Sequence, residues 1–229
     1  MSLRTLPFAL GRTLLGFLFP PTCAACGCKE EGPSGLCALC LASIDKADAF
    51  ELHSHLAKLP DAETSRLSAV FAIWRFDVGG AFQQAHHRLK YGGQPRVGHA
   101  LGMALGGHVD GLGTWDAVVC VGQSRARYFE RGYNQAEPIA RGVSEALGVP
   151  FLPGMLRKEE GHASQTKLSR SARSVNAAHV FSVDAKIDGH RILLIDDVLT
   201  TGSTLVAGAE ALAQGGAARV DGAVLAWAR

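Results

Sequence analysis

The chain has 229 residues, 47% of them hydrophobic and 19% charged, enough for one or two domains that bury a core without disulfides. A formal charge of +2 excludes a strongly basic, nucleic-acid-coating protein, though not a local basic groove. The 27 glycines and 9 prolines are too few for a low-complexity chain, and no internal repeat points to a solenoid.

The first apolar stretch, Leu3 to Phe19, is broken by Arg4 and Arg12, and no segment offers the ~20 apolar residues of a transmembrane helix. Leu14 to Phe19 is too short for a signal peptide, and Pro20-Pro21 follows. A cytoplasmic chain without a membrane span is expected. Leu6, Leu10, Leu14, Leu15 and Leu18 form the stripe of an amphipathic helix. Packing on the body is the plain reading of that helix, and docking to a membrane surface or a partner is the alternative.

Five of the six cysteines follow between Cys23 and Cys40. Cys23-Ala-Ala-Cys26 and Cys37-Ala-Leu-Cys40 are two C-x2-C pairs, the ligand pattern of a tetrahedral four-cysteine Zn²⁺ site. Four thiolates leave no open position, so the zinc is expected to be structural and to supply folding energy to a segment with little core of its own. Free or redox-active thiols are the alternative. Cys28 is a spare thiol, and Cys120 reads as a small buried hydrophobe.

Residues 43–66 carry Asp45, Asp48, Glu51, Asp61 and Glu63 and no glycine, as a helix or connector would. Leu67 to Phe76 is strand-like, Ala81 to Lys90 and Val97 to Leu105 helical, and Trp115 to Val121 a doubly buried strand. Gln135 to Leu147 reads as a helix stopped by Gly148-Val149-Pro150, and Phe151 to Leu156 as a short strand. Residues 157–176 are polar, basic and serine-rich, the composition of a long functional loop. Val180 to Val183 and Arg191 to Ile195 are strand-like, Ser203 to Gln214 is helical, and Val220 to Trp227 is a closing strand. This alternation predicts an α/β fold with a mostly parallel sheet.

The chemistry concentrates in Ile192-Leu-Leu-Ile-Asp196-Asp197-Val-Leu-Thr200-Thr201-Gly202-Ser203-Thr204. A buried strand delivers two acids at its carboxyl end, where ligands of open α/β sheets bind. The small, hydroxyl-rich turn that follows opens a helix, whose backbone N–H groups and dipole suit a terminal phosphate. The acids suit sugar hydroxyls and hydrated Mg²⁺ instead. A phosphate nest beside a diol-and-metal grip describes a phosphorylated ribose; an acid-capped turn before an ordinary helix is the competing structural reading. No P-loop pattern occurs.

That stretch resembles the phosphoribosyl pyrophosphate (PRPP) motif of type I phosphoribosyltransferases, and nearly the whole chain is similar to the ComF family within that group. The likeness runs through Phe19-Pro-Pro-Thr-Cys23-Ala-Ala-Cys26 and the second cysteine pair, Leu89-Lys90-Tyr91-Gly92-Gly93, Arg131-Gly-Tyr-Asn134-Gln135-Ala136, and Gln165-Thr-Lys167-Leu-Ser-Arg170 with Arg173 and Asn176. It implies a type I phosphoribosyltransferase fold over 67–229 and a helix plus zinc ribbon over 1–66; chain order alone suggests the ribbon for the position of the acceptor hood of such enzymes. It implies Asp196 and Asp197 on ribose hydroxyls and the metal shell. Thr200, Thr201, Gly202, Ser203 and Thr204 would cradle the 5′-phosphate, the loop after Val121 would meet pyrophosphate, and 157–176 would be the mobile cover. Lys90, Arg131, Lys167 and Arg170 are candidates to steady the pyrophosphate leaving group, against a solvated surface role for each. Relatives usually show a Val-Pro-Val-Pro-like stretch where this chain has Val119-Cys120-Val121-Gly122.

Two functions remain in view. One is transfer of phosphoribosyl from PRPP to an unidentified acceptor. The other is a non-catalytic PRPP sensor or an accessory protein of natural transformation, with single-stranded DNA or competence-type proteins as partners. For the second, Arg125, Arg127, Arg131, Lys158, Arg170 and Arg173 are groove candidates, with Tyr128, Phe129 and Tyr133 either interleaved as stackers or buried. Asn134 and Gln135 either orient substrate or cap the next helix. His86, His87, His99 and His108 are read as surface or packing residues.

Overall fold

The computed structural model describes residues 22–29, 35–57, 65–159 and 180–228. The amino-terminal leucine stripe and the candidates Lys167, Arg170, Arg173 and Asn176 lie outside these residues.

Among the described residues, four parallel strands form the main sheet, in the order β1 (Leu67–Arg75), β6 (Arg219–Trp227), β5 (Arg191–Leu199), β2 (Ala117–Cys120). Successive side chains of β5 enter opposite faces. Leu193 and Ile195 join a core with Val118 and Leu225, while Ile192 and Leu194 join another with Val119 and Val224. Helices α3 (Ala81–Tyr91), α4 (Pro95–Val109) and α6 (Ala136–Leu147) cover the first face through Phe82, Leu89, Leu101, Leu105, Ile139 and Val143. Helix α7 (Ser203–Gln214) covers the second through Leu205, Ala209 and Leu212.

The amino-terminal segment is built onto this body. Helix α1 (Ala38–Ala42) belongs to the cysteine region, and α2 (Ala49–Leu56) follows it. Between them, the Ala47 N–H donates to the Ile73 carbonyl (2.9 Å) and the Arg75 N–H to the Asp45 carbonyl (2.8 Å), which covers the end of edge strand β1. Cys23, Ala24, Leu36 and Ile44 are buried in the same core as Trp74 and Phe82.

Three local expectations are corrected, and one helix is added. Phe151 makes only an isolated bridge to Val118, and the strand begins later, as β3 (Leu156–Lys158), because Pro153 and the left-handed Gly154 turn the chain between them. The start of the expected loop is thereby taken into β3, which pairs antiparallel with β4 (Phe181–Val183). Strand β5 runs past Ile195 to Leu199, since Asp196 and Val198 still pair with Val224 and Ala226, so the two acids sit inside the strand. A further helix, α5 (Arg125–Arg131), starts with the Ser124 hydroxyl accepting from the Arg127 N–H at 3.5 Å and stops at left-handed Gly132. It buries no residue, so it has no apolar period to announce it.

Candidate functional site

A cleft of about 390 Å³ opens at the carboxyl ends of the parallel strands. Its lining includes Phe76 after β1, Val121 to Ser124 after β2, Asp196 to Val198 in β5 and Ala228 after β6. This edge is where open α/β sheets hold ligands.

Asp197 is the buried hub of the cleft. Its Oδ2 accepts from His86 Nε2 at 2.9 Å and Gln135 Nε2 at 3.3 Å, and lies 3.4 Å from Lys90 Nζ. Its Oδ1 accepts from the Val198 N–H at 2.8 Å. Burial alone would raise this carboxyl, but His86, Lys90 and Gln135 outweigh it and hold the group below the ordinary carboxylate range. Asp196 accepts at Oδ1 from the Asp197 N–H at 2.8 Å. Burial, reinforced by the neighbouring Asp197 charge, pushes Asp196 well above that range. The pair therefore divides into an ionised acceptor and a carboxyl inclined to keep its proton, two different partners for sugar hydroxyls.

Beyond β5 the chain enters the hydroxyl loop. Gly202 takes the left-handed conformation (φ 72°) as the N-cap of α7, with no side-chain cap and no acid in the first turn. Thr200, Thr201, Ser203 and Thr204 are exposed, and the Thr201 and Ser203 hydroxyl oxygens are 3.0 Å apart. The first N–H groups of a helix lack intrahelical acceptors, so this start is open to an anion. Thr200 and Thr204 line the cleft itself, whereas Thr201, Gly202 and Ser203 complete the loop beside it.

The basic candidates separate. Lys90 faces the cleft, joined by Arg127 and Lys158, which the sequence suggested for a strand-binding groove. Arg131 is not among the lining residues. Its Nη1 donates to Gln135 Oε1 at 2.9 Å and its guanidinium stacks on Tyr91 at 5.4 Å, so it orients the amide that donates to Asp197. Asn134 fastens the end of β2 to the start of α6, its Nδ2 donating to the Val121 carbonyl (2.9 Å) and its Oδ1 accepting from the Ala136 N–H (3.1 Å). Asn134 and Gln135 both line the cleft; the Asn134 carboxamide is taken up by these backbone contacts, whereas Gln135 reaches Asp197.

His86 is the residue that sequence reasoning missed. It is buried and stacked on Phe82 (centroids 5.7 Å apart), as a packing histidine would be, but its Nε2 meets Asp197. Its position four residues before Lys90 places both on one helix face, the one available signal. Gly122 is tightly enclosed as well. A Cβ there would collide with the backbone of β3, so the loop after β2 lies against that strand where the family's proline is missing.

A second constellation lies in the amino-terminal segment. The sulfurs of Cys23, Cys26, Cys37 and Cys40 all lie within 4.8 Å of one another, with Cys26 and Cys37 at 3.8 Å. Tetrahedral zinc thiolates, with Zn–S of about 2.3 Å, place sulfurs about 3.8 Å apart. The knuckle closes through the Cys23 N–H to the Cys28 carbonyl (2.8 Å) and left-handed Gly27. Burial raises the Cys23 thiol, but N–H groups of Cys37, Cys26 and Ala25 outweigh it and bring it to about 6. N–H groups aimed at sulfur suit a thiolate, so this set can hold a metal ion. Cys28 is an exposed neighbour of Cys26 and Cys37 outside the set.

Residues 133–229 match the phosphoribosyl transferase domain family. DNA utilization protein YhgH of Escherichia coli (strain K12) is 29% identical over 141 residues, 59% of this chain and 62% of that protein. Competence protein F of Haemophilus influenzae is 33% identical over 93 residues, 39% of this chain and 41% of its own length. Competence protein ComFC of Streptococcus pneumoniae is 39% identical over 87 residues, 38% of this chain and 37% of that protein. The chain is similar to these competence and DNA-utilization proteins, and its residues 133–229 resemble a phosphoribosyl transferase domain. The chain spans about three-fifths of the length of the YhgH proteins it matches. Among its described residues no helix is long and apolar enough to cross a membrane.

Proposed function

We propose that the cleft binds PRPP together with Mg²⁺ and that the chain transfers phosphoribosyl to an acceptor with release of pyrophosphate. The observation that carries this reading is the uncapped, acid-free start of α7, ringed by hydroxyls and set directly beyond the buried Asp197 and the half-buried Asp196. In this arrangement the Thr200–Thr204 loop takes the 5′-phosphate. Asp197 accepts from a ribose hydroxyl and Asp196 donates to one. Lys90, Arg127 and Lys158 face the pyrophosphate. Bound Mg²⁺ would supply Lewis-acid stabilisation of the leaving pyrophosphate. Lys167 and Arg170 join the basic set only through the family likeness.

The four thiolates are read as a structural Zn²⁺ site. The proposed division at residue 66 separates roles, since the cysteine segment and the body share one core. All six cysteines are free, in keeping with a reducing, cytoplasmic compartment.

Calorimetric titration with PRPP and Mg²⁺ tests the reading, comparing the native chain with Asp196→Asn/Asp197→Asn. Binding lost in the variant supports it and warrants an acceptor screen for pyrophosphate release. A folded, zinc-loaded chain that takes up no PRPP overturns it.

A second reading has its own observation. Tyr128 and Phe129, 51% and 83% exposed, stand on α5 with Arg125 and Arg127 at the rim of the cleft. Exposed aromatics interleaved with arginines suit stacking on single-stranded DNA, and the names of the competence and DNA-utilization relatives agree. Anisotropy with an oligothymidylate over a salt series decides it: affinity that falls with salt and is reduced by Phe129→Ala supports DNA binding, and none at low salt removes it.

A further inference from the structure

Helix α2 belongs by chain order to the cysteine region, yet its last turn reaches the hydroxyl loop. Asp48 caps the helix by accepting from the Glu51 N–H at 2.9 Å, and Glu51 pairs with Arg75 of β1 at 3.4 Å. The Arg75 guanidinium lies 5.8 Å from the ring of Trp227 at the end of β6. The ring of His55 packs against the same indole, centroids 5.4 Å apart. These contacts deliver His55 Nε2 to 3.3 Å from the Thr200 carbonyl oxygen. A carbonyl only accepts, so Nε2 carries the proton and donates.

Thr200 is the first residue of the loop and lines the cleft. A backbone loop that holds an anion must present N–H groups and turn its carbonyl oxygens away, because those oxygens carry partial negative charge. A donor from outside the cleft is the simplest way to keep the Thr200 carbonyl occupied and turned outward.

We propose that His55 is a positioning residue of the anion cradle, which makes α2 part of the ligand-binding apparatus. The inference rests on the reading of the Thr200–Thr204 loop as the phosphate site. His55 does not touch the ligand; it biases the loop toward the conformation that receives it. One hydrogen bond has a net worth of about 1 kcal/mol, or roughly fivefold in a binding constant.

The test titrates the full, metal-loaded chain with ribose 5-phosphate and, separately, with Mg²⁺-pyrophosphate. His55→Phe keeps an aromatic ring against Trp227 but removes the donor, and His55→Gln restores an N–H. The expected result is about fivefold weaker ribose 5-phosphate binding in His55→Phe, unchanged pyrophosphate binding, and recovery in His55→Gln. Unchanged affinities, or an equal loss for both ligands, would overturn the role of His55 and leave the PRPP reading standing. A native chain that binds neither ligand overturns that reading and this inference with it.

Discussion

Asp196 and Asp197 are adjacent in sequence and opposite in electrostatic character. Asp196 binds its proton more tightly in the folded chain, so its contribution to stability is present below about pH 4 and is lost as pH rises toward its folded value. Asp197 contributes stability above that pH and loses it as pH falls. At pH 8, Asp196→Asn is therefore expected to raise the melting temperature while weakening PRPP binding, a stability gained at the site's expense. Its gain should be smaller at pH 5, because Asp196 holds its proton more readily than an ordinary carboxyl. Asp197→Asn is expected to lower stability at pH 8 by about 1–3 kcal/mol, because His86 and Lys90 lose their charged partner. Scanning calorimetry of both variants at the two pH values checks the opposite signs. Arg131→Lys should weaken PRPP binding several-fold without lowering the melting temperature, since a lysine cannot keep both the Gln135 hydrogen bond and the flat stack on Tyr91. Equal affinity in that variant would return Arg131 to a surface role. The acid pair was legible in the sequence because it interrupts an apolar run. His86 was not, because a histidine in a helix has the same pattern whether it packs or meets an anion 111 positions away.

At the scale of elements, α3 connects the two constellations. Arg88 donates to the Cys23 carbonyl at 3.1 Å, while His86 and Lys90 reach Asp197 from the same helix. Helices α4 and α6 cross closely through glycines. A Cβ at Gly102 would collide with the Ile139 carbonyl, and one at Gly142 with the His99 carbonyl. Gly102→Ala is expected to cost about 1–3 kcal/mol through forced separation of the helices, read as a lower urea midpoint. No change in midpoint would mean that the crossing gives way freely. The helical periods of α3, α4, α6 and α7 were legible because each buries one apolar face. Helix α5 and strand β3 were not: one buries nothing, and the other is held by pairing with β4 across a long separation.

For the whole molecule, the shared core predicts how metal removal acts. Cys23, Ala24 and Ala25 are buried in one cluster with Trp74, Phe82 and Leu89. Chelation of zinc, or Cys23→Ser, is therefore expected to lower a single cooperative transition rather than melt the amino-terminal segment alone. Scanning calorimetry with and without chelator distinguishes these, and an early separate transition would restore an independent ribbon. The sequence by itself determined the α/β alternation, the four-cysteine set and the acid-then-hydroxyl order after β5. Each is written in local spacing, and local spacing sets periodicity, turn chemistry and the ends of helices. Only the tertiary structure decided the strand order, the seating of the cysteine knuckle on α3, and the meeting of His86, Lys90 and Gln135 at one carboxylate. It also decided which basic residues enter the cleft and that His55 reaches the hydroxyl loop. Those are contacts between residues far apart in the chain, set by which buried faces pack together, and no local pattern encodes them.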